Sequence, residues 1–488
     1  MTVGKIMSGG KPGFFDGCAG IGCFHLGMKG HFNCVGAAEW DEGLQQRYPR
    51  VFLLEPSRMF GTVHGLIDTP QWIAARDEMR GAVMVAGFPC TPFSKSGKQS
   101  GKKHEEGTVF WSLLEMMDDL ECPAFIFENV TNMLGKNHEL VWTEMRKELL
   151  MRGYSIDWEK IRATDVGVPQ NRNRVFIVGK REKVPTERAF FRRQFEEIKT
   201  ADYEIIGLLD LLGKSVFRGT PLSDSHSEAL IHWERYLGWL EERGKMGLIQ
   251  SIAKPLWAME AWHGDMNDEG FYDIEKLQKI IDDNNGGGLS ESQLRSCMPN
   301  APVGIKLEEI VELLPPYFRK VTLGTGKNYP ERAIFAMNSR LHMEEVRESV
   351  GVAFDEWVDD LRKLDPSFQK FEWHIGRQLP RRSGATNPAR RIQTRFGEHL
   401  VQFRSSGIRV SRSSRWPTMV AIGQVPYAGN KLLQPNWRTL ALLQSIPSEF
   451  IDENEDLFGG KNEAVKRLGN AVNVEIVRQI SMRLCKLL

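Results

Sequence analysis

Residues 14–22 read Phe14-Phe15-Asp16-Gly17-Cys18-Ala19-Gly20-Ile21-Gly22. Two phenylalanines running into an acid and then three glycines read as a buried strand entering a turn, with a helix expected next. Small residues at such a turn let a ligand approach the N–H groups that a helix N-terminus leaves without partners. A dinucleotide fingerprint asks for a further glycine where His25 stands. A pyrophosphate is therefore disfavoured, and a ligand with a carboxylate and an adenosine is left open. Outward from this stretch, short apolar runs at 13–15, 34–38, 82–86, 124–127, 155–161 and 175–178 alternate with amphipathic runs at 108–120 and 139–151. That alternation predicts an α/β layer architecture with a mostly parallel, buried sheet from residue 12 to about 180.

The chain has 488 residues, of which 41% are hydrophobic and 26% charged. It can bury a sizeable core and is neither disordered nor a small disulfide scaffold. Its 64 basic and 63 acidic residues leave a net charge of +1, so a nucleic-acid partner must be sought in a local patch. Such a patch lies at 377–415, where Arg377, Arg381, Arg382, Arg390, Arg391, Arg395, Arg404, Arg409, Arg412 and Arg415 stand against one acid, Glu398, and no lysine. Guanidinium reads phosphate and guanine bidentately, which favours nucleic acid over a merely solvated face. Seven scattered cysteines without a Cys-x-x-Cys pair argue for reduced thiols and against a zinc site. Neither a charged-then-apolar leader nor a run of eighteen apolar residues is present, which predicts a cytoplasmic chain without a membrane partner.

Further positions carry chemistry. Glu39, followed by Trp40, ends the second apolar run and offers a carboxylate for ribose hydroxyls and a ring for adenine. Without the upstream glycine turn, an exposed acid and a core indole would be the preferred reading. Cys90 sits in Gly87-Phe88-Pro89-Cys90-Thr91-Pro92-Phe93-Ser94, directly after the run 82–86, at the strand end where α/β active sites lie. A lone cysteine is usually a small buried hydrophobe. Here the flanking prolines and the following Lys95-Ser96-Gly97-Lys98 favour exposure, and a thiolate is a strong nucleophile even when only partly formed. Glu128 ends the run Phe125-Ile126-Phe127, where an acid is costly unless used or paired. Arg172 and Arg174 enter a strand two residues apart, which places them on one face and asks for an anionic or carbonyl-bearing ligand.

Taken in order, these elements resemble the DNA cytosine carbon-5 methyltransferase family of the bacterial restriction-modification type, over roughly residues 12–180 and 436–488. Arg438-Thr439-Leu440-Ala441-Leu442-Leu443-Gln444-Ser445-Ile446-Pro447 is similar to its penultimate motif, and Gly469-Asn470-Ala471-Val472 to its last. The resemblance implies a Rossmann-like methyltransferase domain with a mostly parallel sheet and a second, smaller target-recognition domain. It divides the chain into 1–184 for the first part of the catalytic domain, 185–435 for target recognition and 436–488 for a segment returning to the catalytic domain. S-adenosyl-L-methionine is implied over Phe15, Asp16, Gly17, Gly20 and Gly22, with Glu39 on the ribose, Trp40 beside the adenine, Pro89 alongside, and Asn470 and Val472 closing the pocket. Cys90 is implied as nucleophile, Glu128 as the acid at the pyrimidine, and Arg172 and Arg174 as polar contacts near the cytosine. Ser94 and Gln170 join the ten arginines as DNA contacts, and no metal is implied. The implied partner is double-stranded DNA, bound by a monomer at the nucleoid, with room for a cognate restriction endonuclease.

Carbon 5 of cytosine is a poor nucleophile until a thiolate at carbon 6 makes the ring enamine-like. Reaching both ring faces requires the base to leave the duplex. Two other readings are an RNA cytosine-5 methyltransferase and a catalytically silent DNA-binding relative. The arginine-rich segment favours duplex DNA over the first, and the joint presence of Cys90, Glu128, Arg172 and Arg174 favours catalysis over the second. The family pattern is broken at Cys18 and Cys23, at Thr91, at Gly61-Thr62-Val63 where Gly-Asp-Ile is usual, and at Thr439 where glutamate is common. None of these is a group at which bonds change.

Overall fold

The structure is a computed structural model that describes residues 10–88, 105–201 and 433–488 as continuous stretches. Between them it describes 220–221, 223–245, 290–296, 345–357, 399–404, 407–412, 415–419, 425–428 and a few isolated positions. The chain forms two compact units. Met1–Gly219, Ser414–Gly423 and Pro435–Leu488 make the first, and Thr220–Ser413 with Gln424–Gln434 the second. The first unit thus holds two pieces, 185–219 and 414–423, that a division at 184 and 435 assigns to target recognition. The physical reason is packing: Phe191, Phe195 and Ile198 are buried, and the Trp416 main chain pairs with Gln170.

In the first unit β1 (Gly13–Asp16), β2 (Asn33–Ala38), β3 (Met59–Phe60), β4 (Val83–Gly87), β5 (Ala124–Val130), β6 (Tyr154–Arg162) and β8 (Asn173–Arg181) form one sheet in the order β3-β2-β1-β4-β5-β8-β6. A two-residue β7 (Gln170–Asn171) lies outside it. Pairing is parallel from β3 to β5 and antiparallel where β8 meets β5 and β6. Continuous apolar runs make these strands because both faces are covered; Ala124 to Phe127 are wholly buried. From β1 the chain winds outward through β2 to β3, and from β4 the other way to β5. The strand ends of β1 and β4 therefore flank the switch point at which open α/β sheets bind ligands.

Helices α1 (Cys23–Met28), α2 (Glu42–Phe52), α3 (Pro70–Met79), α4 (Glu105–Asp119), α5 (Glu139–Met151) and α6 (Arg192–Thr200) connect or follow these strands. The run after α5 stops at Gly153, whose φ of +83° suits glycine best. The C-terminal segment supplies α8 (Trp437–Leu442), α9 (Lys461–Asn470) and α10 (Val474–Cys485). The last of these packs on the first helix so closely that a Cβ on Gly27 would lie 2.6 Å from the Val477 side chain. Ser481 Oγ also donates to the Gly27 carbonyl at 3.0 Å.

The second unit contains α7 (Asp224–Glu242) and an antiparallel sheet of β10 (His399–Arg404), β11 (Gly407–Arg412), β13 (Tyr427–Ala428), β14 (Leu433–Gln434) and β9 (Thr220–Pro221), in the order β11-β10-β13-β14-β9. His226 of α7 stacks on Phe403 at 3.8 Å. Among the described residues no helix is long and apolar enough to cross a membrane.

Candidate active site

Several of the expected residues stand at strand ends of the first sheet. The turn after β1 is held by its own main chain: Gly17 N donates to Val85 O at 2.7 Å and Ala19 N to Ala38 O at 3.0 Å. Gly22 has φ +75°, and a Cβ there would meet the Phe52 ring at 2.1 Å, so no larger residue fits. Gly20, with φ +53°, has no atom within 4 Å of where a Cβ would stand. Open space thus lies beside it.

Glu39 braces this turn from β2. Its Oε2 accepts from Gly20 N at 2.7 Å and its Oε1 from Asp41 N at 2.9 Å. Burial pushes its pKa up, while the donors from Asp41 and Gly20 pull the other way. Trp40 is 72% exposed, which excludes the core-indole reading. Phe15 is wholly buried, with its ring against Phe60 and Trp72 at 6.0 and 5.5 Å. The expected cofactor contact from Phe15 is therefore corrected: its side chain serves the core and its main chain pairs within the sheet.

Asp16 is also fully buried. Tyr48 Oη donates to its Oδ2 at 3.2 Å, and the same hydroxyl lies 3.1 Å from His25 Nδ1. Burial pushes Asp16 up to about 7 against the pull of the Tyr48 bond, so near neutrality it holds a proton about half the time. Burial and Lys29 draw His25 down to about 3, which keeps its imidazole neutral. Sequence reading missed Tyr48 and gave His25 only as a missing glycine.

On the other side of the switch point, β4 ends at Gly87 opposite Glu128 of β5. Pro89, Cys90 and Ser94 follow but lie outside the described residues. Asn129, which the sequence reading passed over, ties the two strand ends together. Its Nδ2 donates to Phe88 O at 3.3 Å and its Oδ1 accepts from Val130 N at 2.8 Å. Its place beside Glu128, at the end of a wholly apolar strand, was the available signal. Glu128 is buried, and its Oε1 pairs with Arg174 Nε at 3.0 Å. Burial raises its pKa against the lowering charges of Arg174 and Arg172. A carboxyl in that balance can hold a proton and deliver it to a ligand atom.

Arg174 pairs with Glu128, whereas Arg172 turns to main-chain carbonyls. Arg172 is 2% exposed and donates to main-chain carbonyls: Nη1 to Met419 at 3.2 Å and Gly469 at 3.1 Å, Nη2 to Gly469 at 3.1 Å and Ala471 at 2.6 Å. The expected contact with cytosine is corrected accordingly, because its fork is occupied by the protein itself. Gln170 is corrected too: it is wholly buried and in the β7–β12 pairing, with β12 at Trp416–Pro417, so it presents no amide to a DNA groove. Asn470 is exposed at the end of α9, and Val472 is buried just after it.

Of the arginine-rich segment, Arg377, Arg381, Arg382, Arg390, Arg391 and Arg395 lie outside the described residues. Arg404 ends β10, Arg409 and Arg412 lie in β11, paired with Gln402 and His399, and Arg415 is exposed. Among the described residues no group of three or more His, Cys, Asp or Glu side chains could hold a metal.

Residues 13–250 match the family model described as C-5 cytosine-specific DNA methylase. The chain is 27% identical to Type II methyltransferase M.AluI of Cellulosimicrobium cellulans, over 96% of this chain and 91% of that relative. It is 34% identical to Type II methyltransferase M.HpaII of Haemophilus parainfluenzae, over 34% of this chain and 45% of that relative. The chain spans 38% to 54% of the length of the relatives of the second kind. A solved structure of a candidate DNA modification methyltransferase encoded within a prophage (E. coli) superposes with a TM-score of 0.46 and 15% identity, over 97% of this chain and 99% of that one.

Proposed function

Residues 13–250 match the C-5 cytosine-specific DNA methylase family, and from that premise we propose that the chain is a member of it, with the following roles for its residues. The enzyme methylates carbon 5 of a cytosine flipped out of a specific site in duplex DNA. The observation that carries this assignment is the buried Glu128–Arg174 pair, with Glu128 opposite Gly87, which precedes Cys90 by three residues in the sequence.

Cys90 Sγ, as thiolate, bonds to carbon 6 of the ring, and the electron pair displaced from the 5,6 double bond makes carbon 5 nucleophilic. Negative charge spreads toward nitrogen 3 and the ring carbonyl. Glu128, whose pKa burial raises, donates at nitrogen 3 when it carries a proton, and Arg174 stabilises charge on the carbonyl oxygen. After methylation a base takes the hydrogen from carbon 5, the 5,6 double bond re-forms and the thiolate leaves.

S-adenosylmethionine supplies the electrophilic methyl group. The residues present fit it: open space beside Gly20, the Glu39 carboxylate with lone pairs beyond its two main-chain donors, and the exposed Trp40 ring. Glu39 would hold the ribose and Trp40 cover the adenine. Asp16 and Tyr48 support the turn from beneath. Exposed Arg415 and the β10–β11 arginines suit phosphate and groove contacts.

The test is methyl transfer from radiolabelled S-adenosylmethionine to bacterial genomic duplex DNA and, in parallel, to total RNA. Label in 5-methylcytosine of DNA supports the reading. Label confined to RNA, or none from soluble protein, overturns it.

A further inference from the structure

Arg172 brings together three stretches that are remote in sequence: the entry to β8, the strap at 415–419 and the turn between α9 and α10. The last carbonyls of a helix have no partner within it and carry partial negative charge. Gly469 and Ala471 are such groups at the end of α9, and the Arg172 fork satisfies both while a second edge of the fork reaches Met419. The strap is held to the same place by the Trp416 N–H to Pro169 O bond at 2.7 Å and by Thr418 Oγ1 donating to Asn171 O. It also belongs to the piece of the first unit that the chain enters from Ser413 and leaves at Gln424, both of the second.

We propose that Arg172 is a positioning residue, a latch that fixes the 469–472 turn through the strap and so sets the affinity for the methyl donor rather than the rate at the cytosine. The proposal rests on the cofactor reading given above. A buried cation donating to three separate carbonyls holds them in one arrangement only, because guanidinium is planar and its donors are fixed in direction. Lysine keeps the charge but has no fork. Loosening either end of the latch, at Arg172 or at the strap, should free the same turn.

The experiment compares wild type with Arg172→Lys and Thr418→Val, using calorimetric binding of S-adenosylhomocysteine and steady-state kinetics, with circular dichroism and Tm as folding controls. We expect Arg172→Lys to weaken S-adenosylhomocysteine about tenfold and to raise KM for the donor in step, with the loss falling on KM rather than kcat. Thr418→Val should weaken it about threefold, and the double variant should fall short of the product of the two, since both act on one turn. A lower kcat with unchanged S-adenosylhomocysteine affinity would make Arg172 a ring contact and overturn the latch. Unchanged affinity in folded Thr418→Val overturns it too, even if Arg172→Lys does not fold. Failure of wild type to bind S-adenosylhomocysteine sinks the cofactor reading itself, and the latch with it.

Discussion

The two sides of the switch point differ in how far along the chain their parts are collected. At the β1–β2 side, Gly20 bonds Glu39 across 19 residues and Tyr48 reaches Asp16 across 32. At the β5–β8 side, Arg172 reaches carbonyls 247 to 299 residues downstream. The first side is assembled by one strand–turn–helix–strand unit and its residues arrive already near one another. The second depends on a strap and a C-terminal segment that return only after a second unit has been traversed. Mutations on the first side should therefore act locally on the donor, whereas on the second side those at Glu128 and Arg174 should act on the base and those at Arg172 on the donor through the distant 469–472 turn.

The sharpest contrast comes from Glu128→Gln. Losing a positioned proton donor should lower kcat by about 10²–10⁴-fold with little change in donor KM. In wild type, kcat/KM should fall as pH rises through the raised pKa of Glu128, since the protonated form is the active one, and the variant should lose that limb. A matching rise in donor KM would erase the distinction between the two sides.

Asp16→Asn tests whether the first side is a buried, neutral support. With Asp16 raised to about 7, the folded chain keeps a proton that the unfolded chain releases. Its stability contribution is present below the unfolded value and is lost as pH rises through 7. Asparagine removes that loss, so the variant should gain about 2–3 kcal/mol relative to wild type between pH 5 and pH 8, from the pKa shift over that window. His25, lowered to about 3, works in the opposite sense, losing stability as pH falls from its ordinary range toward 3, and is common to both proteins. Denaturant unfolding at the two pH values checks this; a pH-independent difference contradicts it.

Smaller effects should follow from the ligand-facing groups. Glu39→Gln replaces a carboxylate that accepts two N–H groups with an amide that offers one oxygen, and should raise donor KM about tenfold. Trp40→Ala should weaken S-adenosylhomocysteine only a few-fold, the worth of about 0.5–1.5 kcal/mol for an aromatic contact. Isothermal titration of each variant separates these from any change in kcat.

The contrast also explains what could be read in advance. The strands at 13–15, 34–38, 82–86 and 124–127 and the helix at 139–151 stand close to β1, β2, β4, β5 and α5, because a period of apolar residues reports burial directly. The strand-end positions of Glu39, Trp40 and Glu128 were legible because these residues follow or end apolar runs. By contrast β3 is only two residues long and gives no period. That β8 runs antiparallel depends on a turn rather than on its composition. The partners of Arg172 and the pairing of Gln170 with Trp416 join segments far apart in sequence, so two arginines two residues apart looked equivalent and are not. The extension of the first unit past residue 184 likewise follows from the burial of Phe191, Phe195 and Ile198 rather than from a change in composition.

The most direct test of the account is to express the chain and its Cys90→Ser variant in a host without cytosine methylation and to sequence the host DNA after bisulfite conversion. Protected cytosines in one short repeated context, present with wild type and absent with the variant, are predicted. Protection that persists in Cys90→Ser, or its absence with soluble wild-type protein, would contradict the account.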